Sequence, residues 1–71
     1  MIIVYVLKDE YKHLFQKYKL KYVAEIVGMN QRNLSSMIIH NKPCIKITAY
    51  ALTKFLDSDK EILDFFDRKV D

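Results

Sequence analysis

The stretch Val23-Ala24-Glu25-Ile26-Val27-Gly28-Met29-Asn30-Gln31-Arg32-Asn33-Leu34-Ser35-Ser36-Met37-Ile38 decides how this chain folds. At its centre is Gly28, the only glycine of the sequence. Glycine takes a positive φ without a Cβ clash, so a helix carrying Val23, Ile26 and Val27 around the small Ala24 is expected to stop there and the chain to turn sharply. Asn30 then stands where an N-cap is needed, and Gln31–Ile39 form the next helix with Leu34, Met37 and Ile38 on one side. Gln31, Arg32 and Ser35, with Asn33 beside them, face away.

On the N-terminal side, Ile3, Leu7, Tyr11, Leu14, Phe15 and Tyr18 recur at helical spacing, with Lys8, Asp9, Glu10, Lys12, Gln16 and Lys17 around the rest of the turn. This predicts a helix over about residues 8–18. The β-branched run at 2–6 fits a helical extension and also a short strand, paired at an edge or across a dimer. On the C-terminal side, His40-Asn41-Lys42-Pro43 is a strong breaker, and Asn41 suits the left-handed conformation that would close the preceding helix. Ile45, Ala49, Leu52, Phe55 and Leu56 then give a fourth helix its core face. Asp57-Ser58-Asp59 offers caps for a fifth, carrying Ile62, Leu63, Phe66 and Val70. The expected fold is therefore all-α, five compact helices with or without the N-terminal strand, in one domain over 1–71. No repeat, low-complexity segment or linker divides it.

The totals agree with one domain. A chain of 71 residues leaves no room for a second core. Half of it is apolar, with one Gly, one Pro and no Trp, a balance that favours packed helices over loops or disorder. Cys44 is the only cysteine and can neither crosslink the chain nor complete a metal site with the distant His13 and His40, so no metal or cofactor is expected. Whether buried as a small hydrophobe or exposed as a free thiol, a single cysteine suits a reducing cytoplasm. The apolar start at 2–7 is too short for a signal peptide, and no stretch is long enough to span a bilayer. Charge is divided unevenly. Residues 1–42 hold seven Lys or Arg against three Asp or Glu, a net +4, whereas 43–71 hold five against six, a net −1. The basic side is the half that contains the turn at Gly28.

Catalysis is not expected. There is no Gly-rich phosphate loop and no Ser, His and Asp set, and Asp57, Asp59, Glu61 and Asp64 read as capping and solvating residues of the last helix.

The segment 23–38 resembles the helix-turn-helix of the lambda-repressor and Cro family of phage regulators, on Ala24, Gly28, Met29, Gln31, Leu34 and Met37 in register. The likeness extends over roughly residues 8–66, with the helix-turn-helix itself at about 20–40. It implies that the small Ala24 lets the second helix cross closely, that Met29 fills the space between the helices, and that Leu34 and Met37 fasten them together. It further implies sequence-specific binding of double-stranded DNA by a transcriptional regulator of phage or mobile-element type, repressor or activator. Gln31 and Arg32 would then read base edges, Asn33, Ser35 and Ser36 would make polar contacts along the groove, and Lys19, Lys21, Asn41 and Lys42 would hold flanking phosphates.

Two positions depart from the family pattern. Leu20 and Ile39 stand where polar residues usually border the DNA, and large aliphatics there suit a protein partner. The aromatics are also more than so small a core can bury, which places some of Tyr5, Tyr22, Phe65 and Phe66, with residues 2–4, at an expected interface. That interface would belong to a homodimer or to a complex with a larger regulatory protein. A second reading follows from it: a helix-turn-helix scaffold acting as a protein-binding inhibitor, such as an antirepressor or an anti-CRISPR protein.

Overall fold

A computed structural model of the chain describes residues 2–70; Met1 and Asp71, the ends of the expected domain 1–71, lie outside the described residues. Along the chain run strand β1 (Ile3–Leu7), a 3-10 helix (Asp9–Lys17), helices α1 (Leu20–Val27), α2 (Gln31–Ile39), α3 (Lys46–Leu56) and α4 (Ile62–Phe65), and strand β2 (Phe66–Val70). Most described residues are helical, in five segments, and the first four of these fall where the hydrophobic periodicity puts them.

The fold is nevertheless not all-α. β1 and β2 pair antiparallel, with Ile3 opposite Val70, Tyr5 opposite Arg68 and Leu7 opposite Phe66. For residues 3–7 the strand alternative is the one observed. Their β-branched and aromatic side chains favour extended backbone, and alternation turns Tyr5 and Leu7 into the core while Val4 and Val6 stay half-buried. The expected fifth helix carrying Phe66 and Val70 is corrected: it ends at Phe65, and Phe66–Val70 leave as a strand. Its Asp-Arg-Lys centre has low strand propensity, but Phe66 is fully buried beside Leu7, and the charged residues that follow suit an exposed sheet edge. The N-cap of this short helix is Glu61, in a capping box with Asp64, rather than a residue of Asp57-Ser58-Asp59. Asp57 instead closes α3 and accepts a hydrogen bond from the Asp59 N–H at 3.0 Å.

The first helix also differs in kind. Residues 9–17 wind as a 3-10 helix, rising about 2.0 Å per residue against about 1.5 Å in an α-helix, which carries the chain farther from the end of β1 toward α1. Residues three apart eclipse in this winding, and Lys12 Nζ meets Asp9 Oδ1 at 2.9 Å.

The core comprises Tyr5, Leu7, Phe15, Val23, Ala24, Leu34, Met37, Ala49, Leu52, Phe65 and Phe66. Every helical segment and both strands contribute, so no element is independent of the rest. Thr53 is the one buried polar residue among those described, and its hydroxyl donates to the Ala49 carbonyl at 2.8 Å, within its own helix. At the far end of α3, Lys54 Nζ donates to the carbonyls of Ser58 (3.2 Å) and Lys60 (2.9 Å) and so ties down the loop into α4.

Several interface expectations are overturned by this packing. Tyr5, Phe65 and Phe66 are core residues: the sheet folds Tyr5 and Phe66 inward, and Phe65 packs edge-on against Tyr11 with ring centroids 4.9 Å apart. Leu20 is half-buried against the core and does not project. Conversely Ile26 and Ile45, expected inside, are about half exposed or more, because α1 buries only its Val23–Ala24 side and Ile45 precedes the first turn of α3.

Candidate nucleic-acid interface

The turn is built as its residues require. Gly28 ends α1 in the left-handed conformation, φ 73° and ψ 36°. A Cβ placed there would meet no atom within 4 Å, so the demand for glycine comes from backbone conformation and not from crowding. The Met29 N–H donates back to the Ala24 carbonyl at 2.9 Å, which closes the last turn of α1. Ala24 is buried and Met29 half-buried against the core, and α1 packs on α2.

Asn30 starts α2 in an extended conformation, and its side-chain oxygen accepts from the Arg32 N–H at 2.7 Å. Leu34 and Met37 are buried beneath the helix, which fixes its rotation. Gln31, Arg32 and Asn33 are consequently exposed, with Ser35 and Ser36 half-buried behind them. Asn30, Gln31, Arg32, Ser35, Ser36 and His40 line one shallow, open concavity on the outer side of α2. The structure thus brings together four of the expected groove residues, Gln31, Arg32, Ser35 and Ser36. Asn33 stands apart from them, in a small cleft with Met29, Met37, Lys42, Pro43, Cys44 and Thr48. His40, which sequence reading gave no role, joins the concavity; its spacing of four from Ser36 and eight from Arg32 was the available signal.

Beyond α2, Asn41 takes the left-handed conformation at φ 55°, as expected, and the Lys42 N–H reaches back to the Ser36 carbonyl at 3.3 Å. The chain is then held by paired backbone bonds of 2.8 Å between Tyr5 and Cys44, so the loop carrying Asn41 and Lys42 is anchored to the sheet. Cys44 is partly covered there, and burial pushes its thiol up to about 11.

Charge along this segment of the chain is one-sided. Between residues 18 and 43 the sequence has Lys19, Lys21, Arg32 and Lys42 against the single acid Glu25. All four cations are exposed, and the one ion pair among the described residues is the Lys12–Asp9 contact elsewhere. Of the expected protein-contact positions, Ile39 is 63% exposed at the end of α2. No helix among the described residues is long and apolar enough to cross a membrane.

No protein-family model matches the chain, and neither the curated proteins nor the solved structures contain a match to it.

Proposed function

We propose that this domain is a variant of the lambda-repressor-like class and acts as a sequence-specific DNA-binding regulator, with α2 as its recognition helix in the major groove. The observation that carries this reading is the outer side of α2: Gln31, Arg32, Ser35 and Ser36 share one open concavity, with no acidic side chain among the residues that line it. An α-helix fits the major groove, where Gln31 can pair bidentately with adenine and Arg32 with guanine. Lys19 and Lys21 at the start of α1, and Lys42 after α2, flank the reading helix in sequence and hold neighbouring phosphates. A dimer would present two such helices to half-sites about 34 Å apart.

The test is a mobility-shift assay on the DNA flanking its own gene at two salt concentrations, with the Gln31→Ala, Arg32→Ala double variant beside the wild type. A specific shift that weakens with salt and is lost with sequence preference in the variant supports the reading. Unchanged affinity of the variant for every sequence rejects it.

One observation favours a second reading, a scaffold that binds and inhibits another protein. Ile39 lies exposed at the end of the same helix, and Ile45 and Ile47 are exposed at the start of α3. Ile39→Lys separates the two: it spares or strengthens a DNA complex by adding charge near phosphates, and it destroys an apolar protein contact.

A further inference from the structure

We propose that His40 is a phosphate contact of duplex DNA at the end of α2 where the helix leaves the groove, an inference that rests on the DNA-binding reading above. Arg32, Ser36 and His40 recur every four residues and line the same concavity, so they form one row along the helix. At about 1.5 Å per residue the row places His40 roughly 12 Å beyond Arg32. A recognition helix meets base edges with its N-terminal residues, and this displacement carries its other end toward the sugar-phosphate wall. The position of His40 is well fixed: its N–H donates to the Ser36 carbonyl at 2.9 Å, and Asn41 turns the chain immediately afterwards.

The side chain is free for such a contact. The imidazole is exposed, has no hydrogen-bond or ion-pair partner among the described residues, and shares the concavity with Arg32 and no acid. Imidazole carries an N–H donor in both of its protonation states, and a phosphodiester oxygen accepts from either. A phosphate contact holds register on the duplex without reading sequence, which distinguishes His40 from Gln31 and Arg32.

The experiment uses fluorescence anisotropy with two duplexes, one selected from a randomised pool by the wild-type protein and a shuffled version of it. His40→Ala should weaken binding to both by a similar factor, roughly threefold to tenfold for the loss of one hydrogen bond. His40→Lys should recover the affinity and steepen the dependence of log K on log salt by about one. The same change at Ser58, exposed in the loop after α3, measures the effect of bulk charge alone.

Unchanged binding of His40→Ala, or a His40→Lys effect no greater than that of Ser58→Lys, overturns the proposal. A loss confined to the selected duplex would make His40 a base-reading residue and also overturns it. A wild-type protein that enriches no duplex removes the underlying reading itself. Because that failure appears before any His40 variant is measured, the two are told apart.

Discussion

The side-chain oxygen of Asn30 lies 2.7 Å from the backbone nitrogen of Arg32, so the residue that starts the reading helix also holds the backbone of a residue proposed to read DNA. Stability and recognition meet at that bond. Asn30→Ala should cost about 1 kcal/mol of unfolding free energy, the usual loss for an N-cap, whereas Asn30→Ser or Asn30→Asp should largely keep it. Urea unfolding of the three variants checks this; a stable Asn30→Ala protein would mean that the cap adds nothing to α2.

Gly28 gives a prediction of a different form, because its site is open and its backbone is not. Gly28→Ala places a Cβ in free space but forces a left-handed φ of 73°, at a cost of roughly 1–2 kcal/mol. Gly28→Asn, whose short polar side chain tolerates that conformation, should be measurably milder. Thermal melts of both variants decide it, and equal destabilisation would point to crowding instead of dihedral strain.

Phe66 and Val70 occupy the two ends of β2, the first fully buried and the second exposed. Phe66→Ala should therefore destabilise by about 3–5 kcal/mol, enough to unfold a domain of this size, and Val70→Ala by well under 1 kcal/mol. Near-ultraviolet circular dichroism and urea midpoints report both. If Phe66→Ala were as mild as Val70→Ala, the docking of β2 into the core would be wrong.

Cys44 should be a sluggish nucleophile, since its thiol is raised from 9.0 to about 11 by burial. Iodoacetamide should modify the folded protein much more slowly than the urea-unfolded chain at pH 8, and the folded rate should keep rising toward pH 11. The sign for stability follows. Between the two values the folded state holds the proton that the unfolded state releases, so the contribution of Cys44 is present below pH 9 and lost as pH rises toward 11. Cys44→Ala should flatten that decline in a comparison of urea midpoints.

The helical part of this fold was legible because its residues speak locally. Gly28 and Asn41 mark left-handed turns, Asn30 marks a start, and Leu34 and Met37 set which way α2 faces. The sheet was only half legible. Residues 3–7 carry strand propensity, but Asp67, Arg68 and Lys69 do not, and nothing near them in sequence reveals Leu7 as the partner of Phe66. That long-range partner is also what brings Tyr5, Phe65 and Phe66 inside: without the sheet, the core is too small to hold them all. Of the candidate site, Gln31, Arg32, Ser35 and Ser36 were legible because they depend only on the rotation of one helix, whereas Asn33 turns to a separate cleft. His40 stands one residue beyond that helix, where periodicity stops being an argument, so the sequence marks it only as part of a breaker.

The pairing of Ile3 with Val70 sets the order in which this molecule can be completed during synthesis. At eight and nine residues α1 and α2 are too short to hold as isolated helices, and β1 must wait for residues 66–70 before its ladder forms. Until then the places of Phe65 and Phe66 stand empty, and the growing polypeptide carries a wet, unsealed core. The helix proposed to meet DNA thus becomes rigid late, when the clasp between the two strands shuts.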